Sequence, residues 1–327
     1  MTASYVFNGD ADGLCALQQL RLTGAPPGPL ITGVKRDIAL LERARGAAGD
    51  HCTVLDVSLD VNRTALASLL EAGVAVRYFD HHFTGEVPRH PGLEAHLDLS
   101  PNVCTSLLVD RFVDGRSRAW AIVGMFGDSL VDEARALAAS AGLAPDAAER
   151  LQALGVAINY NAYGETIADL HVPPVALAEE MAGYADPLAF AERSPACQRL
   201  ADGFRQDMEL ARRLQPARQI ERALFFMLPD EPWARRASGT LANDLAKAHA
   251  GSAVAIVSPK TDGGYLVSLR VPRDSSVSAE AFCRTFPTGG GRRTAAGINH
   301  LPSEDLQKFA DAFETRFASD EDRSPSR

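Results

Sequence analysis

In SYVFNGDADGLCALQQL, residues 4–20, a short apolar run leads into two aspartates two residues apart, a glycine and then a helical pattern. The run SYVF reads as a strand and the following segment as a helix from about Asp12, so Asp10 and Asp12 stand at a strand-to-helix junction. Two carboxylates repel one another there unless a cation lies beside them. The alternation continues downstream. LITGV precedes a helix from about Asp37, TVLDV precedes a helix around VNRTALASLLEAG, and VAVRYFD is followed later by helices around CTSLLVDRF and AWAIVGMF. This order predicts an α/β fold with a doubly wound, mostly parallel sheet. Ligands in such sheets bind beyond the carboxyl ends of the strands, and Asp10, Asp56 and Asp80 all fall at those ends.

The chain from about Leu130 to Leu214 is mainly helical in pattern. A second mixed segment begins near Ile220. It comprises ALFFML, AVAIVS and GYLVSLRV as strands, ASGTLANDLAKAHA and SAEAFCRTF as helices, the glycine-rich TGGGRRTAAGIN, and a last helix from about Ser303. The expected organisation is a first domain over 1–195, a helical linker over 196–218, a second, smaller α/β domain over 219–318, and a polar, disordered tail over 319–327.

A chain of 327 residues, 46% hydrophobic and 23% charged, fits two globular cores and argues against fibrous or wholly disordered structure. Five scattered cysteines without C-x-x-C spacing read as reduced, buried thiols. No run is long and apolar enough to span a membrane and the N-terminus lacks a signal-peptide pattern, so the expected compartment is the cytoplasm, with no membrane partner. The net charge of -9 excludes long-range attraction to duplex nucleic acid, while leaving room for a short anionic substrate held by a metal and local arginines.

Asp10 and Asp12, Asp56, the triplet Asp80, His81 and His82, and Asp128 in GMFGDS need a common explanation. Taken singly, Asp12 and Asp60 read as helix caps, and a strand-end aspartate reads as a turn former. Taken in order, D-x-D-G, then D, then D-H-H at successive strand ends points to convergence at one sheet edge. Carboxylates with an imidazole suit a divalent cation and favour manganese over magnesium or calcium. Such a cluster suits metal-assisted attack of water on phosphorus.

With Asp80-His81-His82 and TGGGRRTAAG (residues 288–297) in view, the chain resembles the DHH phosphoesterase superfamily with its DHH-associated C-terminal domain, and its oligoribonuclease and nucleotide phosphodiesterase members in particular. The resemblance implies a site in the interdomain cleft holding one or two manganese ions, with magnesium or cobalt as substitutes. Asp10 would ligate one ion and Asp12 the other, Asp56 would bridge, and His81 and Asp128 would complete the second set. His82 would face the substrate phosphate. Asp80 would orient an imidazole or ligate directly. Arg270, Gly289, Gly290, Gly291, Arg292 and Arg293 would bind substrate; set apart from the resemblance, Arg270 reads equally as a solvated strand-end arginine and the glycine run as a simple turn.

Two positions depart from the pattern. Asn8 stands where many members carry a histidine ligand, which weakens the first ion site, and Arg292 replaces the histidine of the C-terminal motif. The implied activity is hydrolysis of short oligonucleotides or linear dinucleotides to mononucleotides. A nucleotide 3'-phosphatase, a cyclic-dinucleotide phosphodiesterase, an exopolyphosphatase and a non-catalytic nucleotide sensor remain as alternatives, and a homodimer is possible. The polar stretch INYNAYGETIADLH, residues 158–171, reads as a hydrogen-bonded turn after a helix rather than as a seat for a base.

Overall fold

The structure, a computed structural model, describes residues 2–317, so the tail expected to be disordered lies outside the described residues. The chain divides into two compact units, Met1–Phe204 and Arg205–Arg327. The division falls inside the helix Pro195–Arg212, within the stretch read as a helical linker. Both units are mixed α/β, as the sequence predicts.

The first unit runs β1 (Ala3–Phe7), α1 (Ala11–Leu22), β2 (Leu30–Thr32), β3 (His51–Leu55), α2 (Arg63–Glu71), β4 (Ala75–Asp80) and β5 (Leu93–Leu97). Helices α3 (Thr105–Phe112), α4 (Arg118–Gly127), α5 (Val131–Ser140), α6 (Pro145–Asn161), α7 (Pro174–Met181), α8 (Pro187–Arg193) and α9 (Pro195–Arg212) follow. The sheet has the order β2-β1-β3-β4-β5 and every pairing is parallel. Successive strand side chains point to opposite faces. Phe7, Leu55 and Phe79 therefore enter a core with Leu14, Leu17 and Trp120, while Val6, Val54 and Tyr78 enter another with Leu41, Leu66 and Leu70. A sheet covered on both faces carries near-continuous apolar strands, as YVF, VL and YF show. Each such large side chain is worth about 1.5–3 kcal/mol on full burial.

Two local expectations fail. The segment from Asp37 forms only a 3₁₀ turn, Leu40–Arg43. Leu40 and Leu41 are adjacent yet both enter the second core, and the buried Asn62 amide ties this turn down by accepting from Leu41 N–H and donating to Ile38 O. Asp60 does not cap α2 but pairs with Arg63. The short edge strand β5 was not apparent in the sequence.

The second unit contains β6 (Arg218–Ile220), β7 (Ala223–Met227), α10 (Pro232–Ala248), β8 (Ala253–Pro259), β9 (Tyr265–Arg270), α11 (Ala279–Cys283), β10 (Gly289–Gly291), β11 (Ala295–Leu301) and α12 (Leu306–Phe317). Its sheet has the order β10-β11-β9-β8-β7-β6. Only β7 and β8 pair in parallel, and α10 lies between them in sequence, as a parallel crossover requires. Phe309, Phe313 and Phe317 recur every fourth residue along α12 and pack with Phe225, Phe282 and Phe286. All five cysteines are buried and free. Among the described residues no helix is long and apolar enough to cross a membrane.

Candidate metal centre

Strand register explains why distant residues meet. Thr32, Phe7, Leu55 and Phe79 lie level across β2, β1, β3 and β4. The residues that follow these four leave the carboxyl edge of the sheet together, bringing Lys35, Asn8 and Asp10, Asp56, and Asp80 to His82 to one rim. After β1, in the first turn of α1, Gly13 is obligatory, since a Cβ there would lie 2.2 Å from the Asn8 carbonyl oxygen.

Asp12 sits in the first turn of α1 but acts on another helix. Its carboxylate accepts from the backbone N–H groups of Thr105 (2.8 Å) and Ser106 (2.7 Å) at the start of α3, whose own preceding residue, Cys104, supplies no side-chain cap. Asp56 leaves β3 in the left-handed region, with φ +61°, a conformation uncommon outside glycine and tolerated best by Asn and Asp. That turn, together with Asp56 N–H donating to Phe79 O and Thr105 Oγ1 donating to Asp56 Oδ1, fixes its carboxylate.

His81 Nε2 is the common point of the cluster. It lies 3.4 Å from Asp56 Oδ1, 3.8 Å from Asp12 Oδ2 and 3.7 Å from Asp128 Oδ2. Among the described residues, the groups whose donor atoms are close enough to hold one ion are Asp12, His81 and Asp128, and Asp56, His81 and His82. Donors placed at about 2.1 Å around one ion stand about 3–3.5 Å apart, so these separations fit a divalent ion with little adjustment. The electrostatics agree. Burial first, then Asp12, Asp10 and Asp128, push the Asp56 carboxyl well above its ordinary range. Burial, Asp12 and Asp10 push Asp128 up to about 7. Buried carboxylates this crowded call for cationic charge.

Asp10 and Asn8 stand apart from this group. The family resemblance implies an ion on Asp10 distinct from that on Asp12, with Asn8 as a weak ligand. In the structure Asp10 Oδ1 caps α1, accepting from Asp12 N–H (3.0 Å) and Gly13 N–H (3.2 Å), and Asp10 Oδ2 forms an ion pair with Lys35 Nζ. Asn8 Oδ1 accepts from Asp10 N–H and its Nδ2 donates to Lys35 O, both at 3.3 Å, so the amide braces backbone. Burial would raise the Asp10 carboxyl, but Lys35, with the Gly13 N–H and the Asp56 carboxyl, holds Asp10 below the ordinary value. The sequence reading missed Lys35, although its place just past a strand end was a usable signal.

The stretch 158–171 divides its work. Asn159 Oδ1 accepts from Lys35 Nζ (3.0 Å) and the Tyr163 ring lies 5.8 Å from that ammonium, whereas Asn161 bonds both backbone groups of Val172. The turn expected after α6 is present, closed by a capping box between Thr166 and Asp169, with Glu165 N–H donating to Asp169.

His82 Nδ1 lies 2.7 Å from Asp80 Oδ1. That contact raises the His82 pKa despite partial burial. Asp80 is fully buried, and its other oxygen has no hydrogen-bond partner among the described residues.

In the second unit the glycine run is a strand rather than an open loop. Gly289 to Gly291 pair antiparallel with Ile298 to Ala296. Gly289 is pressed against the Cys283 carbonyl and Gly291 has φ +141°, so packing and backbone account for two of the three, while Gly290 borders open space. Arg292 is exposed in the following turn, its side chain without a partner among the described residues, and Arg293 Nη2 donates to Ser275 O. Arg270, at the end of β9, donates to Asn243 Oδ1 at 2.9 Å, and burial lowers its pKa.

Residues 221–319 match the family model of the DHHA1 domain. No curated protein matches the chain. The chain shares its fold with exonuclease RecJ bound to manganese, at 19% identity and TM-score 0.56, covering 96% of this chain and 89% of that one. It is also similar to RecJ from Thermus thermophilus in complex with Mn2+, at 20% identity and TM-score 0.61, covering 96% of this chain and 51% of that one. A third similar structure is PggH, a pGpG-specific phosphodiesterase from Vibrio cholerae, at 13% identity and TM-score 0.53, covering 96% of this chain and 98% of that one. The domain match bears out the C-terminal part of the resemblance read from the sequence, over residues 221–319, and the similar structures show a shared fold.

Proposed function

We propose that this chain is a metal-dependent phosphodiesterase of the exonuclease type, with manganese as its ion and short oligonucleotides or linear dinucleotides as substrates, released as mononucleotides. The observation that carries the reading is His81 Nε2 within 3.8 Å of carboxylate oxygens from Asp12, Asp56 and Asp128. Support comes from the fold shared with a manganese-bound exonuclease and a pGpG-specific phosphodiesterase.

Asp12, Asp56, His81 and Asp128 would hold the ion, which when bound polarises a phosphoryl oxygen and lowers the pKa of water. The chain's own residues supply the rest. Asp80 fixes His82 with one ring nitrogen engaged, leaving the other to donate to a phosphoryl oxygen or to the leaving group. Lys35, bound to Asp10, adds positive charge at the same rim. Arg292, with Arg270, Arg293 and the strand edge at Gly290, would hold substrate phosphates. The net charge of -9 favours a short substrate over a long duplex in this reading, and the cytoplasm is the compartment that goes with it.

The test is a substrate panel of short RNA, linear and cyclic dinucleotides, 3',5'-bisphosphorylated adenosine and polyphosphate, with manganese and with chelator, read by product analysis. Mononucleotides from short RNA or a linear dinucleotide, formed only with metal, are expected. Metal-dependent turnover of another member alone would reassign the substrate, and nucleotide binding without turnover would identify a sensor.

A further inference from the structure

The cation beside Asp10 belongs to the chain itself. Lys35 follows β2 and is held by its backbone on two sides, its N–H donating to Ala162 O at 3.0 Å and its carbonyl accepting from Asn8 Nδ2 at 3.3 Å. Its ammonium pairs with Asp10 Oδ2, donates to Asn159 Oδ1 at 3.0 Å and lies over the Tyr163 ring. Both Asp10 oxygens are engaged by protein donors, since Oδ1 also caps α1. The Asn8 oxygen accepts from Asp10 N–H. The Asp10 and Asn8 oxygens therefore already accept from protein donors, and the position contains a fixed positive charge that opposes a second one.

The neighbouring carboxylates are different. Among the described residues no lysine or arginine forms an ion pair with Asp12, Asp56 or Asp128, whose charged neighbours within pairing distance are histidines. The residues fit one divalent ion at that place and do not fit one at Asp10.

We infer that this is a single-metal site in which the Lys35 ammonium takes the place of a first ion, the ammonium held by Asp10, Asn159 and Tyr163 and the Lys35 backbone by Asn8 and Ala162. This rests on the metal-dependent reading above and goes beyond it by fixing the number of ions and naming the residue that replaces the other. Lysine supplies a compact point charge that pairs with a carboxylate and donates to a phosphoryl oxygen. It does not activate water as a metal ion does, so that role would fall to an ion held by Asp12, Asp56, His81 and Asp128.

The experiment is manganese titration of the metal-free, full-length chain by calorimetry, with electron paramagnetic resonance of the loaded protein. One ion per chain at saturation and a mononuclear signal are expected. Two ions, or an exchange-coupled signal, would overturn the inference while leaving the phosphodiesterase reading intact. Failure to bind any manganese would overturn both. The Lys35→Met, Asn8→His double variant frees Asp10 and supplies an imidazole. It should gain a second ion and a coupled signal, and an unchanged single ion in that folded variant would show that Lys35 does not hold the position. The wild-type ion count stands even if the variant does not fold.

Discussion

His81 Nε2 stands 3.4 Å from Asp56 Oδ1, and Asp56 reaches that place through a left-handed backbone turn. Asp56→Asn keeps the turn and an acceptor for Thr105 Oγ1 but replaces a buried carboxyl, whose ionisation the neighbouring carboxylates oppose, with a neutral amide. Asp12→Ala, in contrast, strips two buried N–H groups of α3 of their acceptor. In chelator, Asp56→Asn should therefore match or exceed wild-type stability, while Asp12→Ala should lose about 2–4 kcal/mol. Denaturant unfolding of both variants checks the contrast, and both should lose manganese.

Asp128 gives the metal-free protein a pH dependence. Its folded pKa is raised, from 3.8 to about 7. The folded chain then binds more protons than the unfolded one between those values, so this contribution to stability is complete below about 3.8, declines as pH rises and is gone above about 7. Manganese must displace the same proton, so its affinity should rise with pH across the same window. Unfolding in chelator and manganese titration at stepped pH measure both, and Asp128→Asn should flatten the first.

The Asp80–His82 contact predicts a movable pH limb. Because Asp80 favours the imidazolium, Asp80→Asn should lower the His82 pKa and bring the alkaline fall of kcat/KM to lower pH. A pH–rate profile that keeps its alkaline limb in place would show that His82 does not act as a proton donor.

Arg292 is exposed and unpartnered among the described residues, so its removal costs the fold little. If it grips a substrate phosphate, Arg292→Ala should raise KM by roughly 10- to 100-fold, equivalent to about 1.5–3 kcal/mol, with a smaller effect on kcat. Steady-state kinetics on the best substrate of the panel decide it, alongside an unchanged manganese content.

Much of this rim was legible because parallel α/β sheets place function beyond the carboxyl ends of their strands. Asp12, Asp56 and His81 could be named from the order of motifs at the strand ends, whereas Asp128, which follows the helix α4, was placed with them as a ligand through the family resemblance. Lys35 could not be tied to Asp10 in this way, since the contact joins residues 25 apart and its second partner, Asn159, is 124 residues away. The glycine run misled for a different reason. Glycine composition signals a turn, yet here Gly289 and Gly291 answer to close packing and a positive φ within a hairpin. Nor did LEAHL betray β5, whose burial pattern is only partial along its length, and the turn at Leu40 depends on the side chain of Asn62, a tertiary contact that no helical periodicity contains.

The central claim is phosphodiester hydrolysis by the ion-binding cluster around His81. Hydrolysis of bis-p-nitrophenyl phosphate by the wild type and by Asp56→Asn, each with manganese and with chelator, tests it most directly. Turnover by the wild type should require manganese, and should fall at least about 100-fold in Asp56→Asn with manganese present. Turnover by Asp56→Asn close to the wild type, or wild-type turnover unaffected by chelator, would contradict it.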